Sequence, residues 1–88
     1  MSVILPTLRQ LSFLVALAEQ ESFSRAAEQC FVTQPTLSAG IKELESILGV
    51  TLVERGGRQA SLTPAGEIAV RRARRTLTEA EDLVQATR

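Results

Sequence analysis

Residues 22–49 read SFSRAAEQCFVTQPTLSAGIKELESILG, and the spacing within this stretch decides the fold. From Gln34 onward, Leu37, Ile41, Leu44 and Leu48 recur at intervals of four, three and four residues. A helix of 3.6 residues per turn stacks such positions on one apolar stripe, expected to be buried. The opposite face carries Pro35, Ser38, Ala39, Lys42 and Ser46, with Gln34 and Thr36 in the first turn. That strip holds one positive charge and two hydroxyls and nothing bulky, so another surface can approach it closely.

Thr33 is placed to cap this helix, its hydroxyl accepting from an unpaired backbone N–H, and Pro35 is tolerated in a first turn where no intrahelical bond is lost. A shorter helix is expected before it, from about Ser24 to Cys30, with Ser22 or Ser24 as its cap. Two helices cross closely only over small side chains, which Ala26 and Ala27 supply; Phe31 and Val32 are then expected to drop into the core at the bend. A short helix, a tight turn and a second helix with a polar N-terminal face form a helix-turn-helix, the arrangement that presents its second helix to a DNA major groove. Helical hairpins in ordinary bundles share the alanine crossing and the leucine stripe, so the residues after Gly49 carry the decision.

Gly49 ends the second helix at a position that needs a left-handed backbone. The period then changes. Thr51-Leu52-Val53-Glu54-Arg55 is β-prone, Gly56-Gly57 signals a turn, and Gln59-Ala60-Ser61-Leu62 is a second extended run. A hairpin placed directly after a recognition-type helix is a wing. Arg58 falls at its tip, where a glycine-flanked arginine can enter a narrow minor groove, and Arg55 is a candidate phosphate contact. For each, a solvated surface arginine is the alternative.

At the other side of the central stretch, Pro6 or Thr7 is expected to open a first helix reaching about Gln20. Leu8, Leu11, Phe13, Leu14, Val15, Leu17 and Ala18 make it apolar around most of its circumference, so it should be the most deeply buried element. After the hairpin, Thr63-Pro64 restarts helix, and Glu67 lies where a negative charge suits the helix dipole. Val70, Ala73, Leu77, Ala80 and Val84 are spaced three, four, three, four, a pattern suited to pairing with another helix. A helix of about 25 residues measures roughly 37 Å and overhangs a domain this small. Part of it is therefore expected to need a partner. Arg71, Arg72, Arg74 and Arg75 precede Glu79, Glu81 and Asp82, so an antiparallel partner would set the basic block against the acidic one.

Composition narrows the rest. With 88 residues and 44% hydrophobic content, the chain is expected to form one small domain with a modest core. There is no histidine, and Cys30 is the single cysteine, which leaves no internal disulfide and no multi-cysteine zinc site. No apolar run approaches membrane-spanning length, and the opening Met-Ser-Val-Ile-Leu-Pro lacks the basic region of a signal peptide. Net charge is zero, where a DNA-binding domain is usually basic, yet the charge is segregated. Residues 54–75 carry six arginines against two glutamates, whereas residues 1–53 and 76–88 are each net negative. A basic stripe can thus face phosphates.

Taken together, Ser22-Phe23-Ser24-Arg25-Ala26-Ala27-Glu28, Val32 through Ser38, Ile41-Lys42-Glu43-Leu44-Glu45, Leu48-Gly49, Leu52-Val53-Glu54-Arg55 and Leu62-Thr63-Pro64-Ala65-Gly66 resemble the N-terminal domain of LysR-type transcriptional regulators. The resemblance covers nearly the whole chain. Leu14-Val15-Ala16-Leu17-Ala18-Glu19 and Cys30 through Ser38 look most like the peroxide-responsive branch of that family. It implies a mainly α fold: a winged helix-turn-helix of three helices and a two-stranded wing over residues 1–63, then a long linker helix for dimerisation over residues 64–88. By position, Gln34, Pro35, Thr36 and Ser38 resemble the base-reading residues, Thr33 and Lys42 backbone-contacting ones, and Arg58 the wing residue that enters the minor groove. Gln can pair bidentately with adenine, and Thr or Pro can touch a thymine methyl. The chain departs from the family at Ala39-Gly40, where many members have a long polar or basic residue after the serine.

The resemblance further implies a homodimer on an interrupted inverted repeat of double-stranded DNA and a tetramer for the full-length protein. It implies a cytoplasmic, nucleoid-associated place without membrane or cofactor, and a C-terminal effector-binding domain outside this chain. The peroxide-sensing cysteines of that branch would belong to the absent domain, leaving Cys30 a structural role. The alternative is a winged-helix module that binds protein and not DNA, which would account for the zero net charge. A catalytic reading has little to stand on, since no nucleophile has a plausible base and no Gly-rich loop follows a strand.

Overall fold

In the computed structural model, which describes residues 3–56 and 59–88, four helices and one small hairpin follow in the order α1 (Leu8–Gln20), α2 (Phe23–Gln29), α3 (Gln34–Leu48), β1 (Val53–Glu54), β2 (Ser61–Leu62) and α4 (Pro64–Thr87). Each helix begins with a hydroxyl cap that the sequence supplies. Thr7 and Gln10 form a reciprocal box, the Thr7 hydroxyl accepting from Gln10 N (3.1 Å) and Gln10 Oε1 accepting from Thr7 N (2.9 Å). Gln10 is buried at no cost in unpaired polar groups, because this bond uses its carbonyl. Ser22, Thr33 and Thr63 cap α2, α3 and α4 in the same way.

The core sits where α1 crosses the α2–α3 pair, closed from the side by the start of α4. Phe13, Leu14, Ala16 and Leu17 of α1 meet Ala26 and Ala27 of α2, Leu37, Ile41 and Leu44 of α3, and Val70 of α4. Leu52 and Val53 seal the same core from the strand side. The alanine crossing of α2 is as expected, both residues being buried.

Three details of the helices and the turn between them differ from the sequence expectation. Helix α2 begins at Phe23, with Ser22 as its cap, and ends at Gln29, with Cys30 as the terminating residue. Phe31 does not enter the core: it is 95% exposed. It ends the α2 turn in the left-handed region (φ 58°), its N–H bonded to Glu28 O and that of Val32 to Ala27 O, and this reversal leaves only Val32 packed against the core. Leu48 is 42% exposed, since the last turn of α3 runs past the core that buries Leu37, Ile41 and Leu44.

The strands pair antiparallel through Val53 with Leu62 and Glu54 with Ser61. They are shorter than the β-prone runs because side chains intercept the flanking backbone. The Glu45 carboxylate accepts from Leu52 N and Val53 N, and the Thr63 hydroxyl donates to Thr51 O (2.6 Å). Gly57 and Arg58, assigned from sequence to the turn and wing tip, lie outside the described residues.

Candidate nucleic-acid interface

The first turn of α3 forms an exposed polar platform. Thr33 Oγ1 accepts from Thr36 N (3.3 Å) and donates to Thr36 Oγ1 (2.9 Å), so the cap also orients the neighbouring hydroxyl. Gln34, Pro35, Thr36, Ala39 and Lys42 are exposed, and Ser38 is half-buried behind them. Gly40 belongs to the other side: a Cβ there would lie 2.5 Å from Phe13 Cδ2, so its absent side chain serves the α1–α3 approach. The departure at Ala39-Gly40 is thus half a packing requirement.

Beside the platform runs a polar groove of about 400 Å³ between the start of α2, the face of α3 and the hairpin. Ser22, Ser24, Gln34, Ser38, Arg55 and Gln59 supply its neutral and cationic hydrogen-bonding groups, and Glu54 adds one carboxylate. The structure therefore brings together the predicted residues Gln34, Ser38 and Arg55 and adds Ser22, Ser24 and Gln59, which sequence reading did not single out for this role. Their only sequence signal was position, at a helix cap and within a presumed wing.

Arg55 is held rather than free. Its guanidinium lies 3.3 Å from Glu45 Oε1 and 5.7 Å from the centroid of the Phe23 ring, with 36% of the side chain exposed. A cation placed this way presents its remaining donors to the groove at little further ordering cost. The opposite end of the hairpin is fastened by Ala60 N, which donates to Glu21 O (3.0 Å).

The residues assigned to dimerisation divide in two. Val70 and Ala73 are buried within the chain's own core, Leu77 and Ala80 are half-buried, and Val84 is 42% exposed next to Leu83 at 64%. A second, largely apolar groove of about 640 Å³ lies beside α4, lined among others by Leu5, Leu8, Leu48, Val50, Ile68 and Arg72. It shares no residue with the polar groove. The apolar arm preceding α1 contributes to it, a feature that the sequence reading passed over.

Catalytic and metal readings gain nothing from the geometry. Burial pushes the Cys30 thiol above its ordinary range, away from the reactive thiolate, and Cys30 Sγ lies 4.0 Å from Ser12 O. Among the described residues no group of three or more His, Cys, Asp or Glu side chains could hold a metal ion, and no helix is long and apolar enough to cross a membrane.

Comparison with known proteins bears on this geometry directly. The sequence profile described as "Bacterial regulatory helix-turn-helix protein, lysR family" matches residues 8–67. The chain is 55% identical over 84 residues to the HTH-type transcriptional regulator EstR of Acinetobacter baylyi, covering 96% of this chain and 28% of that protein. It is 50% identical over 76 residues to the DNA-binding transcriptional dual regulator OxyR of Escherichia coli, covering 86% of this chain and 25% of OxyR. The chain thus spans about a quarter of the length of these relatives. Among solved structures, full-length OxyR C199D from Pseudomonas aeruginosa superposes with a TM-score of 0.90 at 43% identity, over 96% of this chain and 29% of that one. The BenM DNA-binding domain in its catB site 1 DNA complex superposes with a TM-score of 0.88 at 38% identity, over 92% of this chain and 90% of that one.

Proposed function

This chain belongs to the LysR family of bacterial regulatory helix-turn-helix proteins, and from that premise we propose that it is the DNA-binding domain of a transcriptional regulator. It binds double-stranded DNA sequence-specifically, with α3 in the major groove. Gln34, Pro35, Thr36 and Ser38 meet base edges there, while Thr33, Lys42 and Arg55 meet phosphates. Arg58 enters the adjacent minor groove from the wing. One observation carries the reading: the exposed first turn of α3 shares a polar groove with Arg55 and the hairpin, which suits the strand running between a major and a minor groove.

The domain acts as a homodimer on an interrupted inverted repeat. Residues 1–63 form the reading unit, and α4 supplies the pairing surface through Leu77, Ala80 and Val84 beyond the point where Val70 and Ala73 are already buried. The effector-binding domain and the higher assembly, a tetramer, belong to the full-length protein, as does its place in the bacterial cytoplasm at the nucleoid. No catalytic step is part of this function. Similarity to the hydrogen peroxide-inducible activators supports a role in oxidative-stress control.

Binding to a random-sequence duplex pool, followed by fluorescence anisotropy over a salt series with the bound fraction sequenced, tests the proposal. Affinity that falls steeply with salt, together with an enriched inverted repeat, is the expected result. Weak, salt-insensitive binding without enrichment would instead favour the protein-interaction module, to which the zero net charge points.

A further inference from the structure

Glu45 is the acceptor on which the end of α3 and the start of the hairpin converge. Its backbone oxygen takes the N–H of Gly49 (2.8 Å) and of Val50 (3.3 Å), which closes the helix. Its carboxylate reaches seven residues further: Oε2 accepts from Leu52 N (2.8 Å) and Val53 N (3.3 Å), and Oε1 accepts from the Arg55 guanidinium (3.3 Å). The Glu45 side chain is only 14% exposed, and its bonds from Leu52 N and Val53 N are partly buried, whereas the bond from Arg55 lies at the surface.

The anchored segment passes its position on. Leu52 O accepts from Thr63 N (3.0 Å), the Thr63 hydroxyl donates to Thr51 O, and a side chain at Gly66 would collide with the Leu52 carbonyl. The hairpin itself is two residue pairs long, too short to hold an orientation by its own ladder. The angle between wing and recognition helix is therefore set by contacts outside the ladder. Glu45 makes the ones that begin on α3 itself, and Ala60 N to Glu21 O holds the far end to the α1–α2 junction.

We propose that Glu45 is a positioning residue for DNA recognition, a side chain that touches no DNA but locks the wing to α3 so that groove reading by the helix and minor-groove contact by the wing occur in one register. This rests on the DNA-binding reading above. In its absence Ala60 would still be tethered to Glu21, but β1, the strand that leads to Arg58, would lose its anchor to α3, and the contribution of Arg58 to affinity would shrink.

The test is a double-mutant cycle on the 88-residue chain with the duplex selected from the random pool, read by anisotropy at one fixed salt concentration. In the wild-type background Arg58→Ala and Gln34→Ala are each expected to weaken binding roughly tenfold. In the Glu45→Ala background, the Arg58→Ala penalty is expected to fall at least threefold while the Gln34→Ala penalty persists. A purely structural role for Glu45 would lower affinity without separating these two penalties. Should helical circular dichroism show that Glu45→Ala is not folded, Glu45→Met decides on the same criterion, since it keeps the side-chain stem and the helix propensity but has no carboxylate to accept from Leu52 N, Val53 N and Arg55. An undiminished Arg58→Ala penalty, or an equal decline of both penalties, overturns the proposal. An Arg58→Ala change without effect on the wild type removes the wing contact and the positioning role with it, and specific binding that still depends on Gln34 would leave the DNA-binding reading standing.

Discussion

Gly40 lies flush against the ring of Phe13, so close that a Cβ on Gly40 would sit 2.5 Å from Phe13 Cδ2. The ring is 4% exposed and is enclosed by the core, which leaves it little room to withdraw. Glycine in mid-helix costs about 1 kcal/mol in propensity, so alanine would ordinarily stabilise α3. Overpacking here should outweigh that gain. Gly40→Ala is expected to destabilise the fold by about 1–3 kcal/mol in urea unfolding; an unchanged or raised midpoint would show that α1 and α3 can separate freely.

Gln34 stands exposed in the first turn of α3, on the rim of the polar groove. A glutamine amide reading an adenine edge gives about 1–3 kcal/mol of discrimination. Gln34→Ala should therefore cost that much on the selected duplex and little on random DNA, measured by anisotropy on both. Equal losses on the two would remove Gln34 from base readout and make it a backbone contact.

Phe31 and Phe13 offer a contrast between two phenylalanines of one small domain. Phe13 is enclosed, and Phe31 is 95% exposed in a left-handed conformation. Phe13→Ala is expected to cost about 3–5 kcal/mol of stability. Phe31→Ala should stay within about 0.5 kcal/mol, and Phe31→Asn, better suited to positive φ, should be neutral or mildly stabilising. Thermal unfolding of the three variants checks the ordering, and a Phe31→Ala loss approaching that of Phe13→Ala would contradict the exposed placement.

That contrast also marks where sequence reading stops. Helix caps and glycine ends were legible because each depends on one residue type next to a periodic run: Thr33 before Leu37, Gly49 after Leu48, Thr63 before Pro64. The stripe Leu37, Ile41, Leu44 was legible for the same reason. Phe31 was not, because hydrophobicity says nothing of which way a left-handed turn residue points. Nor was the role of Glu45, whose five donors come from residues four to ten positions away and include four backbone amides. In the residues themselves it shows only as an acidic side chain bordering an apolar stripe, which any solvated helix edge also has, and its place in the run Ile41-Lys42-Glu43-Leu44-Glu45 says nothing of its partners. Gln34, Pro35, Thr36, Ala39 and Lys42 share the exposed face that the helical period predicts, whereas Ser24 and Gln59 come to line the polar groove only through the fold.

Glu19 gives the stability a small acid-side dependence. The Gln29 amide donates to its carboxylate (2.9 Å) and Arg74 lies 3.0 Å away, and these hold its carboxyl below the usual range. A lowered folded-state value means that the contribution is present at neutral pH, above the unfolded value, and is lost as pH falls through the folded one. Both partners are near half exposed, so solvent screening keeps the contribution under about 1 kcal/mol. Glu19→Gln should accordingly lower the unfolding midpoint slightly at pH 7 and not at pH 3. A difference that persists unchanged at pH 3 would mean that packing, rather than charge, is at work.

Leu77 lies on the α4 stripe between its buried and its exposed part. Val70 and Ala73 above it are buried in the protomer, whereas Val84 below it is exposed, along with neighbouring Leu83. A charge at Val70 would strike the core, so Val70→Glu should unfold the chain. At Leu77, which is half-buried and lies beyond the core contacts, a glutamate faces any partner helix instead. Leu77→Glu is therefore expected to convert a dimer to a monomer in sedimentation while the helical circular dichroism stays near that of the wild type. It should also weaken binding to an inverted repeat more than to a single half-site, because only the former needs two reading helices held at a fixed spacing. A wild-type chain that sediments as a monomer, or a Leu77→Glu dimer, would place the pairing surface elsewhere than on this stripe.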